Sequence, residues 1–274
     1  MKDVRICQSR PVHVDKVWQQ IRERAGLIVE DEHGLRVLLD DVILSQDTLG
    51  DALGVRLSRK LAREDMTRDE LLPLLRGIFE AEPTLVESAA HDLCAIVERD
   101  PACDSPLQPL LFFKGFHAIS TYRLSHHLWR CGRKELAMYF QSISSEVYGV
   151  DIHPAARIGC GILLDHATSF VVGETAIIED NVSILHEVTL GGTGKTSGDR
   201  HPIVRSGVLL GAGSKVLGRV ELGEGAKVGA GSVVLDDVEA HTTVAGVPAE
   251  VVGVSREDSP ALEMDQQLFC RGLI

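Results

Sequence analysis

In the C-terminal half of the chain, an aliphatic residue recurs at every sixth position. The downstream series is Val204, Leu210, Val216, Leu222, Val228 and Val234. The upstream series, with a slip of two residues near Phe170, is Ile152, Ile158, Leu164, Val172, Ile178, Ile184 and Leu190. A step of six fits neither a helical turn nor plain strand alternation, but it fits short strands joined by turns, with one aliphatic per strand on a common axis. The pattern predicts a parallel β-helix, whereas a β-sandwich would need strand spacings of roughly 8–12 residues.

Before residue 150 the apolar spacing is helical. The first two predicted helices carry Val14, Val17, Trp18 and Ile21, then Leu35, Leu38, Leu39 and Val42. Thr67 with Glu70, and Thr84 with Glu87, have the spacing of capping boxes that start two more helices. Pro101 ends one of these because the residue before a proline leaves helical geometry. Two last helices are predicted over residues 115–128 and 134–147.

These patterns divide the chain into three parts and predict an α+β fold. Residues 1–149 form an all-α domain, and residues 150–253 form the β-helix with an inserted loop at 191–202. Residues 254–274 show no sustained periodicity, so we expect a short flexible tail.

The net charge of −12 over 274 residues argues against nucleic acid or an anionic membrane as a partner. The first fifteen residues lack the apolar run of a secretory signal, and no apolar stretch approaches the roughly 20 residues of a membrane span. The six cysteines are scattered without a CxxC pair. We therefore expect a cytoplasmic protein with reduced thiols and no metal site.

Seven segments resemble those of the serine acetyltransferases, in order and in spacing. They are residues 99–102 (RDPA), 113–118 (FKGFHA), 150–156 (VDIHPAA), 164–168 (LDHAT), 172–176 (VGETA), 188–195 (VTLGGTGK) and 198–202 (GDRHP). The resemblance implies a left-handed, triangular coil of the hexapeptide-repeat acyltransferases, assembled as a homotrimer or as a hexamer made of two trimers. It also implies acetyl transfer from acetyl-CoA to the hydroxyl of L-serine in cysteine biosynthesis, with L-cysteine as feedback inhibitor.

Acetyl transfer to a hydroxyl needs a base with a pKa near neutrality, and His166 is the candidate, at a turn two residues after Leu164. The resemblance pairs this base with Asp151, whose carboxylate would fix the imidazole tautomer as in a Ser-His-Asp triad. No Cys or Ser matches a nucleophile role, so we expect direct attack; Cys160 is the alternative for a covalent route.

Serine is a zwitterion, and the resemblance supplies groups for both of its charges. Asp100 and Asp165 match the amine side, and Arg200 with neighbouring His201 suits the carboxyl group, because a guanidinium donates two parallel hydrogen bonds. Loops as long as 191–202 are uncommon unless they are functional.

Coenzyme A requires a groove for its pantetheine arm and cations for its phosphates. Small residues at coil corners, Gly192, Ala212 and Ala230, would leave backbone amides accessible. Lys215 and Lys227 are twelve residues apart and would supply charge along one edge of the coil.

The chain ends in isoleucine, Ile274. The resemblance implies that this residue enters the active site of O-acetylserine sulfhydrylase (cysteine synthase), where a terminal carboxylate can take the place of a substrate carboxylate. The other functions left open are a coil with another hydroxyl acceptor (homoserine or a sugar), a metal-dependent coil of the carbonic anhydrase type, and a binding scaffold.

Overall fold

The computed structural model describes residues 12–194, 197–254, 259–264 and 266. Its helices are α1 (Val14–Asp31), α2 (Arg36–Leu39), α3 (Leu49–Leu61), α4 (Arg68–Ala81), α5 (Thr84–Arg99), α6 (Leu107–Phe112), α7 (Lys114–Arg130), α8 (Lys134–Tyr148) and α9 (Pro260–Glu263). A 3₁₀ turn at His33–Leu35 and a π-helical segment at Asp40–Leu44 flank α2.

Most of the predicted helices are present, with differences at their starts. The capping box of Thr67 and Glu70 is formed. Thr84 does not cap its helix, because α5 begins at Thr84 itself and the hydroxyl donates to Glu82 at 2.6 Å. Helix α3 was not predicted, although Thr48 caps it by accepting from the Asp51 amide at 3.1 Å.

A parallel β-helix follows Gly149, which ends α8 in the left-handed conformation. Its strands are β1 (Val150–Ile152), β2 (Arg157–Ile158), β3 (Leu163–Leu164), β4 (Phe170–Val172), β5 (Ile177–Ile178), β6 (Ser183–Ile184), β7 (Thr189–Gly191), β8 (Ile203–Val204), β9 (Leu209–Leu210), β10 (Lys215–Leu217), β11 (Glu221–Leu222), β12 (Lys227–Val228), β13 (Val233–Val234), β14 (Thr242–Gly246) and β15 (Ala249–Val254).

The strands form three sheets, one for each side of the coil. The first sheet has the order β1-β4-β7-β10-β13, the second β11-β8-β5-β2, and the third β15-β14-β12-β9-β6-β3. Along the first sheet, Thr189 pairs with Lys215 and Lys215 with Val233, which are separations of 26 and 18 residues. The coil that contains the loop at 191–202 is thus eight residues longer than the next coil. The loop projects from the corner and leaves the pairing of the neighbouring strands intact.

All thirteen aliphatic residues of the two six-residue series are buried, each with at most 5% of its surface exposed. The hydrophobic period therefore predicted the axis of the coil residue by residue, including the slip near Phe170.

The helices are fixed to the coil by a buried ion pair and by close backbone packing. Arg123 on α7 donates to the Asp92 carboxylate of α5 at 2.6 Å, and the other oxygen of Asp92 accepts from the Ile162 amide of the coil at 2.9 Å. Burial raises the pKa of the Asp92 carboxyl, and the guanidinium opposes that effect. Tyr122 adds a hydrogen bond from its hydroxyl to the Ala156 carbonyl at 2.6 Å.

The chain after the coil also packs against it. Strand β15 pairs antiparallel with β14, and the short helix α9 lies on the coil with Ala261 fully buried. The Ala261 carbonyl accepts from Ser183 at 2.8 Å, and its amide donates to Gly207 at 3.2 Å. This part of the tail differs from the flexible segment that its sequence suggested.

Cys160 is disulfide-bonded, so the expectation of reduced thiols is wrong for this residue. Cys94, Cys103 and Cys131 are free thiols, and Cys7 and Cys270 lie outside the described residues. Within the described ranges, the helices are all too short or too polar to cross a membrane.

Candidate active site

His166 lies on an exposed corner of the coil. It follows β3 in a turn where both His166 (φ 55°) and Ala167 (φ 61°) take the left-handed conformation, and 74% of its side chain is exposed. The Asp165 carboxylate lies 3.7 Å from its Nε2 atom. This geometry presents an imidazole to solvent with an anion beside it.

The pairing of the third sheet places four residues of the site in one row. Leu164 pairs with Ile184, Ile184 with Leu210, and Leu210 with Val228. Counting two residues on from each brings His166, His186, Ala212 and Ala230 to the same corner, which we call the base corner (residues 165–169, 185–188, 211–214 and 229–232). Backbone hydrogen bonds from Gly213 to His186 (2.9 Å) and from Gly231 to Ala212 (2.7 Å) hold successive coils in line.

The start of α7 packs directly on the base corner. The Lys114 ammonium donates to the Thr168 hydroxyl at 2.5 Å, and a Cβ atom added to Gly115 would lie 2.0 Å from the Leu164 carbonyl oxygen. Lys114 and Gly115 were not among the predicted site residues. The glycine of the FKGFHA segment was the available signal, because a glycine at a helix start permits close backbone approach.

Asp100 follows α5, on the side of the third sheet. Its carboxylate accepts from the Ala102 amide at 2.9 Å. The preceding Arg99 is buried and donates to Ser183 at 3.2 Å, on the strand that leads into the base corner. The residue before Asp100 thus contacts the third sheet, to which β3, the strand before Asp165, also belongs.

Arg200 and His201 lie at the opposite edge of the first sheet, beside residues 173–176. The His201 ring is buried; its Nδ1 accepts from the Thr175 amide at 3.1 Å, which leaves the proton of the neutral ring on Nε2. Burial lowers the pKa of His201, and the charge of Arg200 lowers it further. A Cβ atom at Gly173 would meet Nε2 at 2.0 Å, so that glycine makes room for the ring.

The guanidinium of Arg200 is held by a carboxylate of its own chain. It donates to Glu174 at 2.6 Å and to the Gly198 carbonyl at 3.1 Å. The hydrogen bond from Arg200 lowers the pKa of Glu174, which keeps the pair charged. A substrate carboxylate would bind this guanidinium beside Glu174 or in its place.

Asp151 lies on the outer face of the first sheet and accepts a hydrogen bond from Gln141 of α8. Within the described residues it makes no hydrogen bond to His166. His166 and its expected partner are thus not joined in the single chain.

The two lysines expected to bind phosphate do not share an edge. Lys215 is on β10 of the first sheet, where its ammonium donates to the Gly213 carbonyl at 3.1 Å. Lys227 is on β12 of the third sheet and is only 4% exposed. The expectation of one edge is wrong because twelve residues are two thirds of an 18-residue coil and lead to another face. Gly192 lies at the start of the loop, near the Arg200 backbone.

Two further observations bear on the expected ligands. In the part of the chain that is described, no three His, Cys, Asp or Glu side chains are grouped so that they could hold a metal ion. Ile274, the expected partner-binding residue, lies outside the described residues.

Two family models match the chain. "Serine acetyltransferase, N-terminal" matches residues 17–121, and "Bacterial transferase hexapeptide (six repeats)" matches residues 201–236. A serine acetyltransferase of Salmonella typhimurium is 51% identical over 250 residues, which are 91% of this chain and 92% of that protein.

Solved structures of the same kind superimpose on nearly the whole chain. Serine acetyltransferase from Vibrio cholerae is 52% identical, with a TM-score of 0.92 over 93% of this chain and 99% of that chain. A serine acetyltransferase in complex with cysteine is 48% identical, with a TM-score of 0.91 and the same shares covered. One from Brucella abortus in complex with coenzyme A is 49% identical, with a TM-score of 0.86 over 88% of this chain and 97% of that chain. These similarities confirm the left-handed, hexapeptide-repeat β-helix.

Proposed function

This chain belongs to the serine acetyltransferase family, and from that premise we propose that it transfers the acetyl group of acetyl-CoA to the hydroxyl of L-serine. The products are O-acetyl-L-serine and CoA, and the reaction serves cysteine biosynthesis in the cytoplasm. The observation that carries the proposal is the row on the base corner, where the exposed imidazole of His166 is followed along the coil by Ala212 and Ala230.

In the proposed reaction His166 is the general base. Its imidazole takes the proton of the serine hydroxyl as the serine oxygen attacks the thioester carbonyl carbon. The carbon–sulfur bond then breaks, and the imidazolium returns the proton to the departing thiolate of CoA. A positioned base of this kind typically contributes roughly 10²–10⁴-fold to the rate. The alternative covalent route through Cys160 has no support, because that sulfur is already bonded in a disulfide.

The assay that tests the function follows free CoA by thiol detection. We expect release from acetyl-CoA when L-serine is added. The match of residues 17–121 to the serine acetyltransferase N-terminal model favours serine over other acceptors. Faster release with homoserine or a sugar than with serine would reject the proposed substrate.

We propose that the site is completed by a second copy of the chain in a homotrimer, two of which join as a hexamer. Asp165 and His166 lie at one edge of the first sheet, whereas Arg200 and His201 lie at its opposite edge. A serine molecule is too short to bridge the two edges of one sheet. An arrangement in which the base corner of one chain faces the Arg200 edge of the next would bring the ammonium and carboxylate sites together.

Mixed oligomers test this arrangement. His166→Ala and Arg200→Ala are each expected to be nearly inactive, but one lacks only the base and the other only the carboxylate site. If the two variants assemble randomly in equal amounts, about one site in four receives both intact halves. Recovery of about a quarter of the wild-type activity is therefore expected, and mixed trimers without any recovery would contradict a shared site.

We also propose that L-cysteine competes with L-serine. Cysteine carries a thiol in place of the hydroxyl and presents the same ammonium and carboxylate to Asp100, Asp165 and Arg200, and a site built for one can hardly exclude the other. A solved relative was crystallised with cysteine. Competitive inhibition against serine is expected; an unchanged initial rate at low serine and millimolar cysteine would contradict it.

For the tail we propose binding of O-acetylserine sulfhydrylase through Ile274. The support is the terminal isoleucine of the sequence together with family membership. Deleting Ile274 should abolish co-purification of the two enzymes and leave serine acetylation intact. A complex that survives the deletion would show that another surface holds the partner.

A further inference from the structure

A thiol, an imidazole and a carboxylate lie together at the C-terminal end of α7. The Cys131 thiol lies 3.6 Å from Nε2 of His127, which is a hydrogen-bonding distance for a sulfur atom. The other ring nitrogen of His127, Nδ1, lies 3.9 Å from one oxygen of the Glu82 carboxylate. Thr84 orients that carboxylate, because its hydroxyl donates to the second oxygen at 2.6 Å. A nucleophile beside a base, with the base beside a third group, is the arrangement that activates cysteine side chains.

This cluster is separate from the candidate active site. The first residues of α7 pack on the base corner, whereas Cys131 directly follows the last residue of the helix. Helix α7 has 17 residues, which span about 25 Å. The proposed acetyl transfer therefore leaves the Cys131 thiol without a role.

Cys131 is the exposed member of the three free cysteines in the described part of the chain. Cys103 is buried and Cys94 is half-buried, and burial raises the pKa of both thiols. A raised pKa keeps a thiol protonated and unreactive near neutral pH. A reagent in solution therefore reaches Cys131 most easily, and the other two cysteines serve as internal controls.

The chain around the thiol is positively charged. Residues 130–134 read RCGRK, so Arg130 directly precedes Cys131 and Arg133 follows two residues later. Both arginines are exposed, and the ion pairs among the described residues include neither of them. Their charges are therefore available to an anion that approaches the thiol.

We propose that Cys131 is a modification site for small disulfides that carry carboxylates, and that Arg130 and Arg133 attract this anionic reagent. Nε2 of His127 takes the thiol proton, and the sulfur of Cys131 attacks one sulfur of the reagent. A new sulfur–sulfur bond forms as the bond within the reagent breaks, and the departing thiolate takes the proton from the imidazolium. Cys131 is thereby oxidised to a mixed disulfide, and the other half of the reagent is reduced to a thiol. An excess of free thiol reverses the step.

Two probes of opposite charge test the site on the full chain. Oxidised glutathione carries carboxylates, whereas cystamine carries two ammonium groups and no carboxylate. Mixed disulfides at each cysteine are followed by peptide mass spectrometry without reduction, and each rate is divided by that of 2-mercaptoethanol with the same probe. We expect Cys131 to react before Cys94 and Cys103, and to prefer oxidised glutathione by about tenfold or more, the lower range of electrostatic steering. Reaction of Cys131 no faster than that of the other two, or no preference over cystamine, would overturn the proposal.

Substitutions separate the base from the charges. Because a free thiol is only a few per cent thiolate near neutral pH, His127→Gln should slow the reaction of Cys131 with both probes by about tenfold. The double variant of Arg130→Gln and Arg133→Gln should slow the reaction with oxidised glutathione alone. The matched control is His241→Gln at a corner of the coil, which should leave both rates unchanged. Wild-type rates in His127→Gln, or equal losses with both probes in the arginine variant, would contradict the assigned roles.

Discussion

Gly115→Ala should impair both the stability and the activity of this protein by moving helix α7 away from His166, the proposed base. Gly115 is the second residue of α7, and its added methyl carbon would lie 2.0 Å from the Leu164 carbonyl oxygen. Real Cβ contacts are essentially never shorter than 3.0 Å, so the helix or the strand must shift by about 1 Å. Leu164 directly precedes Asp165 and His166, so the base corner would take up part of that displacement.

The expected size follows from two opposing effects. Overpacking of this kind costs about 1–3 kcal/mol, and replacing glycine by alanine in a helix returns at most about 1 kcal/mol. We therefore expect a loss of about 1–2 kcal/mol in the free energy of unfolding. A misplacement of about 1 Å in a catalytic group can lower the rate by roughly 10²-fold, and we expect kcat to fall by between ten- and a hundredfold.

The measurements are urea unfolding and steady-state CoA release. The matched control is Gly77→Ala inside α4, where a new methyl group meets no atom within 4 Å. That change should be neutral or stabilising, with unchanged kcat. Wild-type kcat and stability in Gly115→Ala would refute the claim that helix packing fixes the position of His166, the proposed base.

Three more substitutions test other parts of the structure. Arg123→Met leaves Asp92 as a buried, unpaired carboxyl and should cost about 3–5 kcal/mol in urea unfolding, much of which Asp92→Asn should restore in the double variant; additive losses would contradict the pairing. Burial holds the pKa of His117 at about 3, below its usual 6.5, so its contribution to stability is complete above pH 6.5 and declines as the pH falls toward 3. His117→Gln should reduce that decline by up to about 1.4 kcal/mol per pH unit, and an unchanged slope of unfolding free energy against pH would argue against a buried neutral ring. Asp151→Asn should keep the fold, because its Gln141 contact is at the surface of the sheet. The family resemblance pairs Asp151 with His166, and although the two do not meet within one chain, we propose that they do in the assembled protein, so kcat should fall severely; a small effect would remove Asp151 from the mechanism.

The β-helix could be predicted from the sequence because the buried aliphatic residues that stabilise it recur at a fixed spacing. One buried aliphatic per short strand repeats every six residues, so each member could be assigned to the axis without knowledge of any tertiary contact. The end of α5 at Arg99 was equally local, since Pro101 fixes the geometry before it.

The arrangement of the candidate site could not be predicted from the sequence, because the strand register between coils decides which residues lie side by side. The four aligned residues of the base corner are separated by 20, 26 and 18 positions, so no single period connects His166 to Ala212. Lys215 and Lys227 show the opposite error: their regular spacing of twelve residues suggested one shared edge, but they lie on different sheets. The approach of Gly115 to Leu164 joins distant segments and could not be derived from local pattern.

The eight extra residues of the coil that carries Arg200 leave the strand pairing before and after them intact. Lengthening a surface loop is inexpensive, since each doubling costs only about 0.6 kcal/mol in closure entropy. The length and sequence of residues 191–202 can therefore change without altering the interior of the coil. The coil thus separates an interior that its six-residue packing fixes from a corner loop whose length that packing leaves open.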